Sequence, residues 1–222
     1  MESRSPHAIG DSKADRVPGI WWFALALVPH VASQLMRLHQ NTAADWLVWD
    51  YAGRIAALAI LAAIPAARTL AYRTEKRRIS FLEIGVWIAG IVLLDRLGEW
   101  PRRLFNATFP AAVIGKYPQP TGWLDVFDLV FGLALVAASE EIIFRRLLRN
   151  ASQPYLGDGV FAILMTSLIF GAYHWWSGIG NILLATTTGI LLMAMYRRSG
   201  ALWPVVLVHY LVDLIAFSGV WR

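Results

Sequence analysis

The sequence predicts an all-α protein, a polytopic bundle of about seven transmembrane helices, on three observations. Of 222 residues, 57% are hydrophobic and only 16% charged, and the mean hydropathy is +0.50, a balance outside the range of soluble globular domains. The apolar residues recur in runs of about 17 to 20, the length that carries a helix across about 30 Å of hydrocarbon, whereas a barrel would show alternating segments of about 10. Many of the eleven Trp, including Trp21, Trp22, Trp123, Trp175, Trp176 and Trp203, stand at the ends of these runs, as an interfacial aromatic belt does.

Taken in order, residues 1–18 mix acidic and basic side chains without an apolar core or a small-residue cleavage site, and read as a soluble cytoplasmic tail. Helices are predicted at 19–37, 44–67, 80–98, 123–150, 157–176, 180–196 and 201–220, so that 19–222 forms a single integral membrane domain. The segment 99–122 carries Pro101, Pro110, Pro118 and Pro120 around an apolar stretch too short to span, and reads as a re-entrant or amphipathic connection. With the N-terminus inside, thirteen basic residues fall in inner segments and six in outer ones, which favours a cytoplasmic N-terminus. The same clustering accounts for the net charge of +5 through topology, with no nucleic-acid partner. The absence of Cys removes thiolate nucleophiles and thiolate metal sites together.

An ionisable side chain at membrane depth costs several kcal/mol, so each needs a partner or a task. Asp50 and Arg54 stand at i,i+4 and read as a structural ion pair. Glu83, Asp95 and Arg96 lie near helix ends as interfacial anchors, Asp125 and Asp128 sit where a carboxylate suits the positive end of a helix, and His30 is an isolated histidine expected to be hydrogen-bonded structure. Three sites remain. Ser139-Glu140-Glu141 is followed by Arg145, the fifth helix offers Phe170 and His174, and the seventh offers His209 and Asp213 at i,i+4. Adjacent acids point about 100° apart, so Glu140 and Glu141 cannot share one role. Glu141 and Arg145 can neutralise each other, which leaves Glu140 free.

A rise of about 1.5 Å per residue, counted from Asn150, Gly157 and Gly200, puts Glu140 about 15 Å deep, His209 about 14 Å, Asp213 about 20 Å and His174 about 26 Å. Helix tilt or a late start of the fifth helix is needed to bring His174 to the others. A buried Glu beside a His can hold a water and take its proton, and His209 can supply a donor to the oxyanion that forms on a peptide carbonyl. The same two His and two carboxylates are also an acceptable Zn²⁺ shell, although HExxH is absent. A Ser–His pair built on Ser177 lacks the GxSG pattern.

The motifs EExxxR at Glu140, Glu141 and Arg145, FxxxH at Phe170 and His174, and HxxxD at His209 and Asp213 resemble those of the CPBP family of intramembrane proteases. That family groups CAAX prenyl endopeptidases with bacteriocin-processing and immunity proteins. The resemblance covers about 123–220. It implies that Glu140 and His174 activate water, that His209 and residue 213 form the oxyanion hole, and that Glu141 and Arg145 shape the site, without metal or other cofactor. The eukaryotic prenyl-protein enzymes carry Asn at the place of Asp213, and since an ionised Asp cannot donate a hydrogen bond, orienting His209 is the expected role here.

The expected function is an intramembrane endopeptidase acting on a membrane-anchored protein or peptide, within the bilayer of a bacterial cytoplasmic membrane. The alternatives are a non-catalytic immunity or scaffold protein of the same fold, a zinc-dependent membrane protease using the same residues, and a transporter, for which no polar path or pair of broken helices is evident.

Overall fold

The computed structural model describes residues 19–75 and 79–219; the predicted tail at 1–18 lies outside them. Among the described residues the chain is all-helical. The first helix, α1 (Gly19–Arg37), meets α2 (Ala43–Ala63) through a short turn. Thr42 caps α2 by accepting from Asp45 N at 3.1 Å. The predicted helix 44–67 is divided at Pro65, which has no N–H to continue the ladder and instead opens a separate helix, α3 (Pro65–Ala71).

Ser80 caps the next helix, α4 (Phe81–Thr108), with Glu83 three residues on. This helix corrects the reading of 99–122. It runs ten residues past the predicted end, through Pro101, because the added turns carry their own ion pairs: Glu99 binds Arg102 at 2.5 Å and Arg103 at 2.6 Å. One 3₁₀ turn follows at Pro110–Ala112. The chain then docks on the end of the bundle, where Trp176 O accepts from Ile114 N and Gly115 N at 2.9 Å each.

Residues 123–156 form one helical run in which α5 (Trp123–Phe127), α6 (Leu133–Glu141) and α7 (Arg149–Leu156) are joined by π-helical stretches at Asp128–Gly132 and Ile142–Leu148. Such wide turns rotate the residues after them and recur at functional sites. The last three helices are α8 (Val160–Tyr173), α9 (Ile179–Ser199) and α10 (Leu202–Phe217). Gly200, at φ 62°, closes α9 in the left-handed conformation that glycine adopts freely.

Among the described residues three helices, α1, α2 and α9, are long and apolar enough to cross a membrane, whereas α8 and α10 are apolar but shorter, at 14 and 16 residues. This is fewer than the seven spans expected from apolar runs, because π-turns, Pro65 and early helix ends divide those runs. The outer surface is apolar: Phe81, Leu82, Val86, Leu97 and Trp100 of α4 are all exposed, and the helix buries only Ile84 and Ile91. An apolar exterior of this extent suits lipid, not water.

Small residues let neighbouring helices approach closely. A Cβ on Gly53 would lie 2.3 Å from Ser33 Oγ and 2.8 Å from Pro29 O, so α1 and α2 approach within backbone contact one residue before Arg54. Outside the helices, Glu75 ties the α3–α4 connection to the start of α10 by accepting from Leu202 N at 2.8 Å and from Arg146 Nη2 at 2.6 Å. Burial pushes the Glu75 carboxyl up, but the Leu202 N–H and the Arg146 guanidinium outweigh it and hold the carboxyl below the usual range.

Candidate active site

The site is built at the end of α6, where Ser139, Glu140 and Glu141 are all buried. The two carboxylates diverge as their 100° separation requires. Glu141 faces α10 and the following π-turn: its Oε1 lies 2.8 Å from His209 Nδ1, and its Oε2 lies 2.9 Å from Arg145 Nε. The pairing of Glu141 with Arg145 expected from i,i+4 spacing is therefore present, and His209 joins it.

Glu140 is not free, contrary to expectation. Arg54 of α2 donates through Nη1 to Glu140 Oε1 and to Ser139 Oγ, both at 3.0 Å, and through Nε to Asp50 Oδ2 at 2.9 Å. Asp50 also binds Arg37. The guanidinium of Arg37 is in turn stacked between Trp46 and Trp176, at 4.3 and 4.7 Å from the ring centroids. Asp50 and Arg54 are thus an ion pair, as their spacing indicates, but one that ends on Glu140. Four buried charges alternate in sign from Arg37 through Asp50 and Arg54 to Glu140, so each is neutralised by a neighbour inside an apolar bundle.

His174 enters from α8. The helix begins at Val160 and ends at Tyr173, leaving His174 as its capping residue, whereas the predicted helix ran over 157–176. The later start alone brings His174 to about 21 Å on the same rise per residue. His174 Nδ1 lies 3.0 Å from Phe170 O. A carbonyl can only accept, so Nδ1 carries a proton, and in the neutral ring Nε2 is then left as an acceptor.

The two histidines are gathered around Phe170. Its ring centroid is 5.0 Å from that of His174 and 6.4 Å from that of His209, while Arg145 Cζ stacks 4.5 Å above it. Glu140 is in Coulombic range of both imidazoles and of His30. Asp213, one turn beyond His209 on α10, places Oδ2 3.4 Å from His209 Nε2. His209 therefore has a carboxylate beside each ring nitrogen, Glu141 at one and Asp213 at the other. Among the described residues, no group of three or more His, Asp or Glu is arranged to hold a metal ion.

Residues of α1 and α2 complete the surroundings. His30 Nδ1 lies 3.0 Å from Tyr173 OH, and Gln34 donates to Tyr173 O at 3.1 Å while accepting from Trp175 Nε1 at 2.9 Å. Gln34 thus pins the chain on both sides of His174. Arg54 and Gln34 are the residues that motif reading missed. The signal for Arg54 was a cation inside an apolar helix; for Gln34 there was none, since one polar residue in α1 has no distinguishing pattern.

A buried acid and two imidazoles thus lie in a helical bundle with an apolar exterior, which defines a membrane protein. Residues 122–215 match the family of Type II CAAX prenyl endopeptidases, Rce1-like, and over that region the chain is similar to that family. The matched region contains Glu140, Glu141, Arg145, Phe170, His174, His209 and Asp213, and the family is one of proteases. Neither the curated proteins nor the solved structures give a match.

Proposed function

We propose that the protein is an intramembrane endopeptidase that hydrolyses a peptide bond in a membrane-anchored protein or peptide with a water activated by Glu140 and His174. The observation that carries this reading is that His174 and His209, from different helices, both meet the Phe170 ring and both lie within Coulombic range of the buried Glu140, in the region that matches a protease family. Arg54 occupies Glu140 Oε1 and supplies its counter-charge, which leaves Oε2 to accept from a water and take its proton. His174 Nε2 accepts from the same water and fixes its lone pair toward the carbonyl. As the tetrahedral oxyanion forms, a doubly protonated His209 shares its Nε2–H between Asp213 Oδ2 and the oxyanion, while Nδ1–H stays on Glu141. Asp213 orients that ring. Proton return to the departing amine by Glu140 completes hydrolysis.

The test is cleavage of membrane-anchored tail peptides by the purified protein in detergent, before and after stripping with chelator. Chelator-resistant cleavage is expected. Loss to chelator with recovery on adding Zn²⁺ would place the same residues in a metal site, and absence of cleavage with peptides bearing C-terminal, internal and leader-type junctions would favour the non-catalytic scaffold.

The role of Asp213 has its own test. Asp213→Asn removes an anionic acceptor beside His209 Nε2 but keeps its shape, so the cleavage rate is expected to fall about tenfold, the worth of one charge-assisted hydrogen bond. A rate equal to or above wild type would instead assign residue 213 as a donor to the oxyanion.

A further inference from the structure

We propose that a cavity between α3, the Ile142–Leu148 π-turn, α7 and α9 binds a phosphate group. The cavity has a volume of about 210 Å³ and is walled by Arg73, Arg145, Arg146 and Arg149 together with Gln153 and Tyr196. Four guanidinium groups face three carboxylates: Glu141 contacts Arg145 at 2.9 Å, Glu75 serves both Arg146 at 2.6 Å and Arg73 at 3.3 Å, and Asp158 holds Arg149 at 2.7 Å. Positive charge is in excess inside a concave wall.

The second observation is a set of unmet donors. Arg145 is wholly buried, yet among the described residues its Nη1 and Nη2 have no hydrogen-bond partner, and neither does Nε of the buried Arg146. Leaving a guanidinium fork unpaired away from water is costly, and the cost is removed when an anion with several oxygens enters. A phosphate suits the site better than a carboxylate, because several planar forks from different elements require acceptors in more than one plane, and a tetrahedral oxyanion provides them. The cavity has room for a phosphate and its first ester carbons but not for paired acyl chains. The same chemistry is available from a phospholipid headgroup and from free phosphate. The proposal does not depend on the peptidase reading, since its readout is binding.

The test uses the full-length protein, washed free of lipid in detergent micelles. It is titrated with inorganic phosphate against chloride at constant ionic strength, and in parallel with dihexanoyl phosphatidic acid against dihexanoylglycerol. At about ten times Kd, the phosphate-bearing probe is expected to raise Tm by about 3–5 °C. Arg73→Gln, at a side chain that is 61% exposed, is expected to weaken that binding about tenfold while leaving the unliganded Tm in place. A response to phosphatidic acid alone assigns a lipid headgroup, and a response to both probes, or to inorganic phosphate alone, assigns the phosphate group itself. No response to either, or equal affinity in Arg73→Gln, overturns the site.

Discussion

Glu140→Gln is expected to reduce peptide cleavage by about 10³-fold or more while leaving the protein folded, an effect at the upper part of the range for a positioned base. The amide oxygen of Gln still accepts from Arg54 Nη1 where Oε1 accepts now at 3.0 Å, so the alternating charge chain loses its last anion but not its last hydrogen bond. What disappears is a group able to take a proton from water. The measurement is product formation by mass spectrometry beside a melting curve in the same detergent. Cleavage within tenfold of wild type at an unchanged Tm would remove Glu140 from the reaction and end the proposed mechanism. The neighbouring Glu141→Gln would act differently, because Glu141 serves His209 and Arg145, so part of its loss would come from misplacing His209.

Arg54→Gln is expected to give the largest loss of stability of any single substitution at the site, about 3–5 kcal/mol, the range for removing one partner of a buried ion pair. At about 2–4 °C per kcal/mol for a chain of this size, Tm falls by roughly 10 °C. The reason is the number of groups that Arg54 serves. Asp50 retains Arg37, but Glu140 and Ser139 lose the Arg54 Nη1 donor that they share across the α2–α6 contact. Arg54→Lys restores the charge but not the fork that reaches Asp50 and Glu140 together, so it is expected to recover stability in part. Combining Arg54→Gln with Glu140→Gln should cost less than the two added, since the second substitution removes the stranded anion. A wild-type Tm in Arg54→Gln, or strict additivity in the double variant, would show that the pair carries no coupling.

How much of this was legible in the sequence follows the range of each interaction. The Glu141–Arg145 and Asp50–Arg54 contacts were legible because both are one helical turn apart, and i,i+4 geometry places such side chains side by side whatever surrounds them. The divergence of Glu140 from Glu141 followed from helical rotation alone. By its prolines and short apolar stretch the segment 99–122 reads as a separate connection, whereas the Glu99 pairs with Arg102 and Arg103 sustain α4 past Pro101. The end of α8 at Tyr173 was hidden for the opposite reason, since apolar residues continue to Trp176 and hydrophobicity marks no stop there.

By itself the sequence determined an all-α, lipid-compatible chain and the residues that carry the three motifs, because composition, apolar run length and one-turn spacing are local quantities. Only the tertiary structure decided that Arg54 closes on Glu140 across 86 residues, that Gln34 holds the backbone around His174 from 139 residues away, and that Phe170 stands between two histidines from different helices. Partner choice over such distances is set by which helix faces meet, as at the Gly53 approach of α2 to α1, and in an apolar bundle each buried charge is bound to the one counter-charge that this packing brings within reach.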